Sequence, residues 1–294
     1  MNNPKPSSMR DQMDGVFAAP AERVAVMTCD VEPDFGNRTG TCELLEDRKY
    51  LDALIDNCRS LGVPLSAFIV TAYLERELGF VAAVLDDGLD VHAHSHSHDI
   101  GSYRSQSARE IEESQRVFRR VFGRDATGYR APQGVLVSGD PAALADNGFA
   151  FSASVFPSRR RGVFDFRDMP QVPWRWKSGV VELPFASTVP GRRMVTVSYL
   201  KLLGKLYWHR VLRCVDNLPP ILIIDSHLHD FFEPRSFANL PMLFRLAYRR
   251  NRRNGFTLMA WLILRLRALG YRFVSVEELY QMVSNGSPQW VART

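Results

Sequence analysis

Apolar positions along the chain gather into short buried runs separated by amphipathic stretches. Residues 23–30 (RVAVMTCD) are nearly continuous in apolar character and stop on a carboxylate, the pattern of a strand covered on both faces. Pro33, Gly36 and Gly40 then mark a loop. Over 44–61, the positions of Leu51, Leu54, Ile55, Cys58 and Leu61 share one helical face, and Gly62 stops the helix. The pattern next predicts a strand at 63–70, a helix at 73–86 and a strand at 89–94. Ser107 followed by Glu110 reads as a capping box opening a helix, with Ile111, Ser114, Phe118, Val121 and Phe122 facing inward and Gly123 ending it. Shorter strands follow near 127–130, 151–154, 180–183 and 221–225. A helix over 257–269 leads into a last strand at 271–275.

Strands that alternate with helices imply a parallel sheet. About seven to eight such units predict an α/β fold, a distorted (β/α) barrel of about seven to eight parallel strands. The 294 residues suit one such barrel, which commonly needs about 250. The expected division is a flexible lead-in at 1–21, the barrel at 22–284 and a tail at 285–294. No GxGxxG follows the first strand, which argues against a dinucleotide fold. In a barrel, chemistry gathers where the strands end at their C-termini. The reactive residue types of this chain fall at those points.

Four of the seven histidines, His92, His94, His96 and His98, lie within seven positions. Imidazole is the commonest transition-metal ligand near neutral pH. A helical turn at the strand end would put His94 and His98 on one face, with His92 and His96 behind them or turned away. Strand periodicity puts Asp30 and Glu32 on one side, so one can ligate while the other stays free as a base. Arg130, followed by Pro132 and Gly134, can fix a carboxylate. The run 221–230 ends in Asp225, His227, His229 and Asp230, where a histidine kept protonated by a neighbour can be a general acid. His209 reads as a surface residue of an amphipathic helix. No GxSxG elbow supports nucleophilic catalysis.

Composition narrows the class. Hydrophobic residues make up 46% and charged residues 23%, which excludes global disorder. The net charge is +5, and the densest basic run, Arg249 to Arg253, reads as a solvated helix end, so no nucleic-acid partner is expected. Four cysteines without a CxxC pair suit a reduced compartment. With neither an apolar signal core nor an 18-residue apolar run, a cytoplasmic protein without a transmembrane segment is expected. Residues 194–210 are amphipathic, basic and aromatic. They suit either a helix covering the barrel or one lying on a membrane surface.

The ordered set Thr28-x-Asp30-x-Glu32, His94-Ser95-x-x-His98, Arg130-x-Pro132 and a strand ending in His227 resembles the polysaccharide deacetylases, carbohydrate esterase family 4. The likeness runs over about 23–283 and includes residues 148–151 (GFAF), 181–184 (VELP) and 270–279 (GYRFVSVEEL). It implies a distorted (β/α) barrel and metal-dependent hydrolysis of the N-acetyl group of an amino sugar in a polysaccharide, oligosaccharide or glycan precursor, releasing acetate. It also implies a divalent metal, Zn2+ first, with Co2+, Ni2+ or Fe2+ as alternatives. Carried over, the roles are Asp30 as base, Glu32, His94 and His98 as metal ligands, Arg130 orienting the base and His227 as acid, with His229 as its fallback. Asp30 and Glu32 can exchange roles, because Val31 stands where the family usually has its second acid. Ser152 stands where the family usually has an Asp supporting the acidic histidine, leaving Asp225 or Asp230 to substitute. The alternatives are a deacetylase or deformylase of a lipid-linked or nucleotide-linked sugar in peripheral contact with a membrane, or a non-catalytic glycan-binding barrel.

Overall fold

The computed structural model describes residues 9–18, 22–75 and 88–285. Its strands are β1 (Met13–Val16), β2 (Arg23–Val31), β3 (Leu65–Ile69), β4 (Asp90–Ala93), β5 (Gly128–Tyr129), β6 (Phe151–Ser152), β7 (Arg159–Arg160), β8 (Phe164–Asp165), β9 (Trp174–Trp176), β10 (Val181–Glu182), β11 (Ile221–His227) and β12 (Tyr271–Phe273). Ten of them form one sheet in the order β1-β9-β10-β6-β5-β4-β3-β2-β11, with β12 also on β2, and β7 and β8 form a separate ribbon. From β10 to β11 the pairing is parallel throughout. β9 pairs antiparallel with both β10 and β1. Eight of every nine residues of β2 are buried, as a strand with neighbours on both sides and helices over it requires.

The expected barrel is therefore present, and its distortion has a location. Between β10 and β11 no ladder forms. Ala186 N donates to Ile223 O at 2.9 Å, and Thr196 makes a single parallel bridge to Asp225. Irregular backbone over 183–196 thus closes the wall that a regular strand would otherwise supply.

The main helices are α1 (Lys49–Ser60), α2 (Tyr103–Phe122), α3 (Asp140–Asp146), α4 (Val197–Val211), α5 (Met242–Arg249), α6 (Gly255–Ala268) and α7 (Val276–Asn285). Two sequence readings change, and one left open is decided. First, α2 begins at Tyr103, and Ser107 lies inside it, so Ser107 and Glu110 form no capping box. The Glu110 carboxylate instead accepts from the backbone N–H groups of His96 and Ser97 at 3.0 and 2.8 Å, a tertiary use of the same acid. Second, within the stretch read as a flexible lead-in, β1 adds an edge to β9 and Met9 is fully buried. Third, α4 buries Val197, Leu200 and Trp208 against the barrel, so the amphipathic stretch at 194–210 is a covering helix, and His209 is exposed on it. Most of the helix expected at 73–86 lies outside the described residues, as do the first eight residues and the stretch from 286. No described helix is long and apolar enough to cross a membrane.

Candidate metal centre and catalytic cleft

Register brings the chemistry to one end of the sheet. His227 pairs with Asp30 across β11 and β2, and Asp225 pairs with Thr28. Val31 faces Ile69, Ile69 faces Ala93, and Ala93 faces Tyr129, so β2 to β5 end at one level. His94 and Arg130 are the next residues after β4 and β5. The site thus sits at the C-terminal ends of parallel strands, where backbone turns away and side chains are free to converge.

Glu32, His94 and His98 converge most closely. Their ligand atoms lie within 4.8 Å of one another, and all three residues are buried. Glu32 Oε2 is 3.3 Å from His94 Nε2 and 2.7 Å from His98 Nε2. His94 Nδ1 lies 3.0 Å from the Arg130 carbonyl oxygen. A carbonyl only accepts, so Nδ1 carries the proton and Nε2 presents its lone pair to the triad. Neither ring nitrogen of His98 makes a hydrogen bond of good geometry, despite complete burial. Such orphaned nitrogens aimed at a carboxylate suit a cation between them. The 3.3 Å spacing is about what tetrahedral bonds of roughly 2.0–2.2 Å require. The residues present therefore fit a divalent metal.

The histidines converge by a different route from a helical turn. Ser95 and His98 both take positive φ, 54° and 55°, and the segment is irregular. Glu110 ties down its backbone, and Ser95 Oγ accepts from His98 N at 3.3 Å. His92 and His96 are turned away from the triad. His92 Nε2 faces Asp90 at 3.0 Å, and His96 Nδ1 lies 3.1 Å from Thr71 Oγ1.

Asp30 sits beside the triad. Its Oδ1 accepts from Arg130 Nη1, while Oδ2 lies 3.4 Å from His94 Nε2. Arg130 is locked in place. Its guanidinium is sandwiched between Phe68 and Phe185, at 3.7 and 4.3 Å from the ring centroids, and Nε donates to Ala153 O at 3.0 Å. Nη1 also reaches Thr28 Oγ1 at 3.0 Å and Asp225 at 3.3 Å. Pro132 opens the short 3-10 turn that follows and is buried.

His227 faces the triad from across the cleft. Its Nε2 is 3.6 Å from both Glu32 Oε1 and Asp225 Oδ2, and its Nδ1 is 3.4 Å from Asp230 Oδ2. Burial alone would lower its pKa, but Asp225, Glu32 and Asp230 outweigh that and hold it well above the usual value. Burial, followed by the negative charge of Asp30, pushes Asp225 up to about 7. Asp230 accepts from His227 N at 3.1 Å and from Ser198 Oγ, and Lys201 lies 3.7 Å away. Burial opposes its charge, yet His227 and Lys201 hold its carboxyl well below the usual range. His229 stacks on His227 at 4.7 Å, and burial and the His227 charge lower it to about 3. It is therefore neutral near pH 7. Ser152 does not approach His227. It lies 2.8 Å from Ser154 Oγ, beside the buried Glu182, which accepts from Ser154 N and Val155 N.

A cavity of about 170 Å³ opens over these groups. Asp30, Glu32, His98, Arg130, Asp225 and His227 line its floor. Its rim includes Arg38, Arg160, Tyr199 and Tyr248, which sequence patterning did not single out. They come from separate elements far apart in the sequence, so only their common cavity identifies them.

Residues 18–151 match the family model described as polysaccharide deacetylase. No curated protein matches the chain. A polysaccharide deacetylase candidate from Mycobacterium smegmatis aligns in structure with a TM-score of 0.56 and 14% identity, over 96% of this chain and 98% of that one. The Bc1960 peptidoglycan N-acetylglucosamine deacetylase aligns at 0.53 and 15%, over 94% and 97%. BA3943 from Bacillus anthracis, a CE4 family pseudoenzyme, aligns at 0.52 and 14%, over 89% and 66%. At such identities the structural likeness is one of fold. The segment that matches the polysaccharide deacetylase model carries Asp30, Glu32, His94, His98 and Arg130, and the fold around it is the one these solved structures share, so both the match and the fold agree with the family that the motifs resemble.

Proposed function

We propose that the protein is a metal-dependent carbohydrate N-deacetylase that removes the acetyl group from an amino sugar of a glycan or glycan precursor. One observation carries the reading: the Glu32, His94 and His98 donor atoms converge within 4.8 Å in a buried site open to a cavity. These three residues would hold the ion, Zn2+ or, with the same donor set, Co2+, Ni2+ or Fe2+. When bound, such an ion polarises a carbonyl and lowers the pKa of water to about 7.

The chain's own residues supply the proton steps. Asp30 acts as base through Oδ2, since Arg130 occupies Oδ1 and fixes the plane of the carboxylate. His227 acts as acid, because Nδ1 is engaged by Asp230 and Nε2 faces the cleft with a proton to give to the leaving amine. Asp230, with Asp225, takes over the support of the histidine that an Asp at position 152 gives elsewhere. The test is acetate release from N-acetylated oligosaccharides, with bound metal measured in the same samples. A fully metal-loaded protein inert on a broad panel would favour the glycan-binding alternative instead.

A second reading concerns what carries the sugar, and α5 favours a lipid. No residue of this helix is buried, and Met242, Leu243 and Leu246 are 65%, 76% and 56% exposed. Arg245 and Arg249 on the same helix, and Arg250 and Arg253 just after it, are exposed as well, and Tyr248 of this helix lines the cavity. Exposed apolar residues on a helix carrying exposed arginines match an anionic bilayer surface. Sedimentation with anionic vesicles tests this. The wild type should bind, and Leu243→Asp combined with Leu246→Asp should release it. Equal sedimentation of both proteins, or of neither, would defeat the reading.

A further inference from the structure

Most buried charges in the cleft are matched. Arg130 meets Asp30 and Asp225, and the histidines face carboxylates. The two arginines on the rim are different. Arg38 donates through Nη1 to the Phe35 carbonyl oxygen at 2.6 Å and lies over the Phe244 ring. Neither contact neutralises it. Arg160 lies on β7 at the mouth of the same cavity. Among the described residues, no carboxylate pairs with either guanidinium within 4.0 Å. Burial first, and then the nearness of Arg38, lowers the pKa of Arg160. Two like charges, partly withdrawn from water and unpaired, disfavour the empty site electrostatically, and an anion between them relieves that.

Gly36 fixes how close Arg38 stands to the metal triad. The residue has φ +66°, and a Cβ built on it would lie 3.0 Å from Arg38 Nη1, 3.4 Å from Glu32 Oε1 and 3.9 Å from His98 Cε1. The guanidinium is thus about one substituent's width from the ligands. The hydrogen-only position keeps that gap open. Tyr199 and Tyr248 stand beside Arg160 and supply further hydroxyls toward the same space.

We propose that Arg38 and Arg160 form a binding subsite for an anionic group, phosphate or carboxylate, carried by the substrate next to the sugar being deacetylated. Guanidinium groups bind both anions in forked, charge-assisted pairs. The subsite makes the neutral homopolymer of an N-acetylated sugar the poorer substrate. It favours a sugar esterified to phosphate or adjoining a uronic acid.

Calorimetric titration of the metal-loaded protein with inorganic phosphate, and separately with glucuronate, tests the subsite. Arg38→Gln and Arg160→Gln should each weaken the preferred anion roughly tenfold, the loss of one hydrogen-bonded charge pair, with metal content unchanged. Arg160→Lys should restore part of the loss. A double variant that binds both anions as the wild type does would overturn the proposal, because any remaining affinity would then belong to the metal or another surface. Loss in the phosphate arm alone assigns a phosphate, and loss in the glucuronate arm alone a carboxylate. If Arg38→Gln fails to fold, Arg160→Gln keeps the test, since no fold-stabilising hydrogen bond of the Arg160 side chain is lost with it. A kinetic arm rests on the proposed deacetylase activity: the preference for a phosphorylated or uronate-bearing substrate over its neutral counterpart should fall about tenfold in either Gln variant. Absence of deacetylation in the wild type would sink that activity and leave the titration to decide the subsite.

Discussion

The two halves of the cleft are built differently. The first, carried by β2, β4 and β5, holds Asp30, Glu32, His94, His98 and Arg130. Asp30, Glu32, His94 and Arg130 end or directly follow a buried parallel strand, His98 is brought in by the turn at 95–98, and backbone and aromatic contacts orient His94 and Arg130. The second half, from β6 to α5, holds His227, Asp225, Asp230 and Arg160, while Arg38 reaches the rim from the segment after β2. Here irregular backbone closes the barrel, and electrostatics does the positioning: three carboxylates crowd one imidazole. The family match at 18–151 covers the first half only. The difference suggests that strand register places both the ion-holding groups and His227, while the carboxylates crowded around His227 tune proton transfer and the irregular segments shape the rim.

Breaking the first half should have the largest effect. Glu32→Gln or His98→Ala removes one of three converging donors, and metal affinity should fall by more than the roughly 10–100-fold typical of losing an outer partner. Activity should be lost with it. Metal analysis after dialysis checks this, and a Glu32→Gln protein that kept its full complement of metal would show that the triad is misassigned. Asp30→Asn separates the two tasks of that half. Turnover should fall by about 10²–10⁴ while metal content stays at the wild-type level. If metal is lost as well, Asp30 and Glu32 have exchanged roles. His227→Gln should lower kcat by a similar factor of about 10²–10⁴, with KM little changed, and stopped turnover assays would show it.

A smaller effect is expected behind the first half. Glu110→Gln leaves the His96 and Ser97 N–H groups with a weaker acceptor, so the turn that brings His98 to the triad should loosen. A drop of about tenfold in metal affinity is expected, within the range seen for groups that orient ligands. Wild-type affinity would mean that the positive-φ backbone at Ser95 and His98 holds itself.

These two effects also show what could be read from the chain. The strand ends were legible because burial on both faces makes β2 and β11 nearly continuous apolar runs, and the reactive residues stand where those runs stop. Barrel class and the convergence of Glu32, His94 and His98 follow from that. Glu110 was misread because Ser-x-x-Glu fits a capping box equally well, and only tertiary structure decides which N–H groups the carboxylate meets. The turn at 95–98 was read as helical because spacing of four is shared by a helix and by a loop with two positive-φ residues. Amphipathicity left 194–210 open between a covering helix and a surface one; α4 proves packed, and α5 is the exposed one. Periodicity reports a two-faced helix without saying what covers it. Arg38 and Arg160 had no pattern at all, because a turn places one and a two-residue strand the other.

The smallest effect is the finest test of the second half. Asp230 lies against both Nδ1 and the backbone N of His227, and its charge helps hold the imidazolium against burial. A group whose pKa is raised keeps its proton below that pKa and loses it as pH rises through it. If His227 is the acid, activity should therefore decline on the alkaline side as His227 deprotonates. Asp230→Asn keeps the shape and removes the charge, so this alkaline limb should move to lower pH by about one unit, within the usual effect of an opposite charge at such range. Near pH 6 the variant should retain most of the wild-type rate. Asp225 and Glu32 stay in place in this variant, so an unmoved limb would mean that these two, each 3.6 Å from Nε2, carry the support without Asp230. A limb that moved to higher pH would rule out His227 as the group titrating there, because loss of a neighbouring negative charge can only lower its pKa.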